Sequence, residues 1–169
     1  MKKLALLALF CCLLILPAQA GLLNVSGRAS FYTPSDAGAS TSMMYGLSAA
    51  YPLTDHLSVR GAVDTTTYTS TAGQTTFTPI SVDLIYSESL TSLLTAYAGA
   101  GGSYNSKTVN GAKSETAGVQ AEAGIRFSLA GLSAGFEYRY LIPDASKLNQ
   151  GSTAFTGYAT GSFSQSFIL

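Results

Sequence analysis

The sequence is short of several residue types, and each shortage excludes a class of protein. Tryptophan is absent, histidine occurs once, and both cysteines (Cys11 and Cys12) lie in the apolar N-terminal segment. Without that segment the chain has no thiol for a disulfide or for a cysteine-ligated metal site. The formal net charge is zero, which gives no reason to expect a nucleic acid as partner.

The first twenty residues have the features of a secretory signal peptide. Lys2 and Lys3 precede an unbroken apolar run over residues 4–16, which Pro17 ends, and Ala18-Gln19-Ala20 supplies small residues for cleavage before Gly21. The run is too short to cross a bilayer, which needs about 20 residues. We therefore expect residues 1–20 to be a cleaved export signal and residues 21–169 to form a single domain.

After residue 20 the sequence has no apolar run long enough for a transmembrane helix. Instead, about eight segments alternate apolar and polar residues with the two-residue period of a β-strand. In the clearest of them, residues 117–129, Val119 and Ile125 fall on one face, and Glu122 and Arg126 fall on the other. The pattern predicts an all-β protein.

The charged residues are distributed unevenly between these segments and the connections. All arginines, and four of the carboxylates, lie within predicted strands on the polar face, whereas the lysines after residue 20 lie in predicted connections. Charges in mid-strand, opposite a continuous apolar face, indicate a barrel with a polar interior and a lipid-facing exterior. Open sheet edges are not tolerated in hydrocarbon, so the barrel has to be closed. We predict an eight-stranded antiparallel up-and-down transmembrane β-barrel in which the first strand pairs with the last. The strand charges are Arg28, Arg60, Asp64, Asp83, Glu122, Arg126, Glu137 and Arg139, and the lysines are Lys107, Lys113 and Lys147.

The predicted connections alternate in length. Those after strands two, four and six are short, whereas longer polar loops are predicted over residues 33–42, 69–75, 105–115 and 141–152. Bacterial outer-membrane barrels have short periplasmic turns and longer external loops, which this alternation matches. Pro79 cannot donate a ladder hydrogen bond and predicts a strand end or a bulge.

Aromatic residues are expected on the outer surface at both membrane interfaces, as in the girdles of such barrels. The external set is Phe31, Tyr68, Phe77, Tyr104, Tyr140 and Phe155, and the periplasmic set is Tyr51, Tyr86, Phe127, Phe163 and Phe167.

Four stretches carry a resemblance to a known family. They are Tyr51-Pro52-Leu53-Thr54-Asp55 with Leu57-Ser58-Val59-Arg60-Gly61, then Ala96-Tyr97-Ala98-Gly99-Ala100-Gly101, Gly124-Ile125-Arg126-Phe127 and Phe136-Glu137-Tyr138-Arg139-Tyr140. Together they resemble the small eight-stranded outer-membrane barrels of the OmpA and OmpX type. The resemblance implies a monomer in the bacterial outer membrane, in contact with lipid and lipopolysaccharide and inserted by the barrel-assembly machinery. Such chains usually end in an aromatic residue, whereas this one ends in Leu169 with Phe167 two places before it.

The inward charges are the candidate functional residues. An eight-stranded barrel is only wide enough for side chains to fill its interior, and buried charges have to be paired. Four arginines and four carboxylates therefore predict a structural plug of ion pairs, with a conducting or catalytic pathway as the alternative.

The remaining residues give little indication of catalysis. His56 lies in a predicted turn, and we interpret it as a solvated turn residue because no serine–histidine–acid arrangement accompanies it. No second histidine or cysteine is available as a metal ligand, and we expect no cofactor. The sequence favours a non-enzymatic protein with a structural or cell-surface interaction role. The alternatives are a narrow pore or transport barrel, an enzyme acting on lipid or lipopolysaccharide, and a soluble barrel of lipocalin type.

Overall fold

The computed structural model describes residues 23–130 and 132–163; the predicted signal segment and the chain end, with Phe167 and Leu169, lie outside them. Each strand is antiparallel to the next, and β1 also pairs with β8, from Leu23–Phe163 to Thr33–Thr153. The predicted closed barrel of eight antiparallel strands is confirmed. The strands are β1 Leu23–Thr33, β2 Ser42–Pro52, β3 Leu57–Ser70, β4 Gly73–Ser89, β5 Leu94–Val109, β6 Ala112–Leu129, β7 Leu132–Ile142 and β8 Ser152–Phe163.

Side chains alternate between the lumen and the outer surface along the strands, as the two-residue period predicts. On β4, Ile80, Val82 and Leu84 are exposed on the outside, whereas Ser81 and Asp83 are buried inside. The outer surface is thus a belt of exposed apolar side chains around a polar interior. In the part of the chain that the structure describes, no helix is long and apolar enough to cross a membrane.

The two ends of the barrel are named by the connections that they carry. We call the end with the connections 53–56, 90–93 and 130–131 the lower end, and the end with 34–41, 71–72, 110–111 and 143–151 the upper end. Two of the lower turns have the same hydrogen bond. The Thr54 hydroxyl accepts a hydrogen bond from the backbone N–H of Leu57 at 3.0 Å, and the Thr91 hydroxyl accepts one from the backbone N–H of Leu94 at 3.0 Å.

Two of the predicted loops are wrong. Residues 69–75 and 105–115 belong to long hairpins whose turns are only Thr71-Ala72 and Asn110-Gly111, so Lys107 and Lys113 lie in strands. Asn110 and Gly111 have φ angles of 48° and 87°, the left-handed conformation of a tight type I′ hairpin turn. The polar residues of these segments therefore extend β3–β4 and β5–β6 at the upper end.

Pro79 neither ends nor bulges a strand. It lies inside β4 with its ring buried in the lumen, and the register from Val63–Ile80 to Thr66–Phe77 is continuous across it. Only the ladder pairing of Asp64 and Thr65 with β4 is missing, because proline has no N–H to donate.

The aromatic prediction is wrong at Tyr68 and Phe77. Both side chains are buried in the lumen, because the inward alternation of Asp64 and Thr66 continues to Tyr68 and that of Ser81 and Pro79 continues to Phe77. The other members with described side chains face outward or are partly exposed: Phe31, Tyr51, Tyr86, Tyr104, Phe127, Tyr140 and Phe155. The side chains of Phe163 and Phe167 lie outside the described part.

Candidate functional site

Three arginines and four carboxylates meet in the middle of the lumen. We call this group the lumen cluster: Arg28 of β1, Arg60 and Asp64 of β3, Asp83 of β4, Glu122 of β6, and Glu137 and Arg139 of β7. All seven side chains are buried, because the alternation of five strands directs them to one level of a narrow interior.

Arg60 links three carboxylates. Its Nη1 donates to Oε2 of Glu137 at 2.5 Å, its Nη2 donates to Glu122, and its Nη2 lies 3.8 Å from Asp83 Oδ2. The planar guanidinium of arginine can serve several acceptors at once, which a lysine ammonium does less well. Because β3 and β7 stand opposite each other in the closed barrel, the Arg60–Glu137 pair crosses the lumen.

A second ion pair crosses the lumen with the opposite polarity. Arg139 of β7 donates through Nη1 to Oδ2 of Asp64 on β3 at 2.9 Å. Arg28 adds a third link, since its Nη2 donates to Oε1 of Glu137 at 2.9 Å. Buried charges of this kind are tolerated only when each has a partner, and these contacts supply one.

Neutral side chains add hydrogen bonds to two of the carboxylates, Asp83 and Glu137. Gln120 Nε2 donates to Asp83 at 2.6 Å, the Ser81 hydroxyl donates to the same carboxylate at 3.2 Å, and the Tyr97 hydroxyl donates to Glu137 at 3.1 Å. Sequence reasoning missed Tyr97 as a lumen residue. Gly101 and Gly99 face the lumen, and following the same alternation two residues further along β5 would have indicated Tyr97.

Arg126 stands apart from the lumen cluster. Among the described residues it forms no ion pair, and it lies towards the lower end, paired in register with Thr95 and Gly135. Glu122 precedes it by four residues on the same strand, which corresponds to about 13 Å. The predicted balance of four arginines and four carboxylates is therefore wrong for the cluster, which has three guanidinium groups and four carboxyl groups.

Glycines make the space that the large lumen side chains occupy. A Cβ atom on Gly46 would collide with the carboxyl group of Asp64, and one on Gly101 would collide with that of Asp83. Gly124 likewise leaves space for the side chain of Tyr97, since a Cβ on Gly124 would lie 2.5 Å from the phenol oxygen.

An apolar layer lies above the lumen cluster. The rings of Tyr32 and Phe77 stack with centroids 5.5 Å apart at 15°, and Tyr68 packs on Tyr32 at 6.0 Å. These side chains belong to a buried group that is completed by Met44, Leu141 and Ala154. Cavities lie at both ends of the lumen: an upper one of about 280 Å³ bordered by Tyr32 and Lys107, and a lower one of about 40 Å³ bordered by Arg28 and Arg126.

An ion pair ties the upper connections together. Asp36, between β1 and β2, accepts hydrogen bonds from Lys107 Nζ at 2.7 Å and from the Tyr68 hydroxyl. Burial by itself would raise the pKa of Asp36, but the hydrogen bonds from Lys107 and Tyr68 outweigh it, and the pKa lies below its ordinary value. Sequence reasoning missed this contact because it had placed Asp36 and Lys107 in separate loops.

His56 lies in the lower connection between β2 and β3. Its ring stacks on Tyr86 with centroids 5.8 Å apart, and its Nδ1 lies 3.2 Å from the backbone oxygen of Ser87 and 3.3 Å from Glu88. No hydroxyl group bonds to the ring among the contacts that the structure describes. Within residues 23–130 and 132–163 no group of acidic, histidine or cysteine side chains could hold a metal ion.

Comparison with known proteins shows the fold. No protein-family model and no curated protein matches the chain in sequence. The structure is similar to the N-terminal β-barrel domain of Pseudomonas aeruginosa OprF, with a TM-score of 0.64 and 18% identity over 85% of this chain and 99% of that one. It is also similar to Neisserial surface protein A, with a TM-score of 0.65 and 21% identity over 85% and 97% of the two chains. Ail, the attachment invasion locus protein of Yersinia pestis, has a TM-score of 0.59 and 13% identity over 85% and 97%. The chain thus has the fold of small eight-stranded outer-membrane β-barrels.

Proposed function

We propose that the protein is a bacterial outer-membrane barrel whose lumen is plugged by the arginine–carboxylate cluster, and that its role is structural or in surface interaction. Its location is supported by the fold and by the belt of exposed apolar side chains such as Leu47, Val82 and Ile125, which suits a hydrocarbon environment. A soluble lipocalin-like barrel would need those side chains inside.

One observation carries the proposal of a plug. The Arg60–Glu137 and Asp64–Arg139 pairs both run between β3 and β7, so side chains bonded to each other occupy the diameter of the barrel. Opening a path would mean separating these charges in a low-dielectric interior, which costs several kcal/mol. The buried layer of Tyr32, Met44 and Phe77 adds a second barrier above them.

The proposed surface role is supported by the upper end. Two hairpins and the connection 34–41 are held together there, since Thr71 N donates to Ala37 O at 3.1 Å and Asn110 Nδ2 donates to Ala72 O at 2.8 Å. A polar surface held in one arrangement is suited to recognition, because little ordering remains to be done on binding. No hydroxyl group bonds to the His56 ring among the described contacts, which supports a non-enzymatic role.

A narrow pore is the second candidate, and the cavities at both ends of the lumen favour it. Purified protein inserted in a planar bilayer separates the two. We expect no resolved conductance steps from the wild type, and stable ion-selective steps would overturn the plug.

A variant with a weakened plug gives the positive control. Arg60→Ser combined with Glu137→Ser removes one crossing pair. It also removes the arginine that contacts Glu122 and Asp83, which loosens the plug further, and we expect brief openings from it. Lys113→Gln, on the exposed upper hairpin, should remain silent like the wild type. Heat-modifiable gel mobility checks that each variant is folded.

A further inference from the structure

We propose that the lower cavity of the lumen is a binding site for a small inorganic anion of the size of chloride. The cavity lies between the lumen cluster and the lower mouth of the barrel, and three arginines border it: Arg28, Arg60 and Arg126. Arg28 and Arg60 belong also to the lumen cluster, whereas Arg126 takes no part in it.

The cavity offers positive charge and donors. Its other lining groups include the hydroxyls of Ser26, Ser58 and Tyr158, and none of the carboxylates of the lumen cluster borders it. Guanidinium and hydroxyl groups facing one space, with no carboxylate among the lining residues, form a setting in which an anion is better solvated than a cation.

Two of the arginines have donors that are not used. Nη1 of Arg28 and Nε of Arg60 are buried and have no hydrogen-bond partner among the described atoms. The side chain of Arg28 is 1% exposed and that of Arg60 is 11% exposed, and the two donor atoms are themselves buried, so bulk solvent does not compensate them. A buried donor without a partner is costly, and an anion bound beside Arg28 and Arg60 would supply the acceptor.

Arg126 supplies the charge that the cluster itself cannot. The three arginines of the lumen cluster are already shared among four carboxylates, whereas Arg126 forms no ion pair in the described part of the chain. It is only partly buried, whereas Arg28 and Arg60 are buried, so it is the most accessible of the three to an entering ion. We therefore assign Arg126 as the residue on which binding chiefly depends.

The volume of the lower cavity limits the size of the anion that it can hold. About 40 Å³ is room for roughly three water molecules at 10–15 Å³ each, which suits a halide with one or two waters. The Tyr97 and Tyr158 rings, packed edge to face with centroids 6.4 Å apart, border the same space and limit its size.

Binding can be measured on the full processed protein folded in detergent, with gluconate as the only other anion. Titration with chloride, followed by the line width of the ³⁵Cl resonance, should show saturable broadening for the wild type. Arg126→Gln should weaken binding about tenfold or more, which is the loss expected for one hydrogen bond to a charged group. Lys113→Gln removes the same charge from the exposed upper hairpin and should bind as the wild type does.

The position of the ion is tested by crystals grown in bromide. An anomalous peak bordered by Arg126 and Arg28 is expected in the wild type and should be lost in Arg126→Gln. Broadening that is equal in the wild type and Arg126→Gln, or absent from both, would overturn the proposal. This result is independent of the bilayer experiment, since a barrel that holds an anion in a blind cavity need not conduct.

Discussion

Arg139 and Asp64 form an ion pair of 2.9 Å between opposite strands of the barrel, with side chains 0% and 2% exposed. Because the pair is shielded from water, breaking it should cost far more than breaking a surface pair. Asp64→Asn leaves Arg139 with only Glu137, 3.7 Å from its Nε, and we expect a loss of about 3–5 kcal/mol in the free energy of unfolding. The chain has no tryptophan, so urea unfolding in lipid vesicles is followed by tyrosine fluorescence.

The double variant Asp64→Asn with Arg139→Gln is the control for this prediction. It removes both charges, so it should lose clearly less than the sum of the two single variants. Additive losses would mean that the pair contributes nothing beyond its separate side chains.

Gly101 and Gly102 are neighbours on β5 with opposite surroundings. A Cβ on Gly101 would collide with Asp83 and the backbone of Val82, whereas the nearest atom to a Cβ on Gly102 is 3.9 Å away. Gly101→Ala should therefore cost about 1–3 kcal/mol by overpacking, and Gly102→Ala should cost little. Urea unfolding of the two variants measures the difference in stability. Equal stabilities would contradict the close packing of the Asp83 carboxyl group against Gly101.

The alternation of residues predicts which face a side chain occupies, but not its height in the barrel. That is why the inward direction of Arg126 could be predicted and its separation from the lumen cluster could not. Height depends on the register between neighbouring strands, such as Glu122 opposite Arg139 and Arg126 opposite Gly135. Nothing in a single strand's sequence contains that information.

The ends of strands were harder to predict than their centres. Polar residues around Lys107 and Lys113 look like a loop, yet they keep the strand conformation up to the turn at Asn110. The Asn110-Gly111 dipeptide was the available signal, because it is the preferred sequence of a two-residue hairpin turn. Phe77 was misplaced for a related reason: polar neighbours hid the continuing alternation.

Gly111 should stabilise the turn at the upper end of the β5–β6 hairpin. Its φ of 87° is strained for any residue with a Cβ, so Gly111→Ala should destabilise the turn by about 1 kcal/mol. Hydrogen exchange of amides over residues 105–115 should then be about fivefold faster, whereas amides in the middle of β1 should be unaffected. Gly27→Ala, with no atom within 4 Å of its Cβ, is the matched control. Unchanged exchange over residues 105–115 would contradict the assigned turn.

The Asp36–Lys107 contact should make the stability of the upper end depend on pH. The pKa of Asp36 is lower in the folded protein than its ordinary value, so its contribution is present in full above that ordinary value, near pH 4. The contribution is lost as the pH falls through the lower folded value, because protonation removes the charge that Lys107 and Tyr68 bond. The difference in unfolding free energy between the wild type and Asp36→Asn should therefore be largest at pH 7 and shrink towards pH 3. Taking this difference cancels the titration of carboxylates elsewhere in the barrel. A difference between the wild type and Asp36→Asn that stays constant from pH 7 to pH 3 would mean that the charge of Asp36 does not hold the upper connections together.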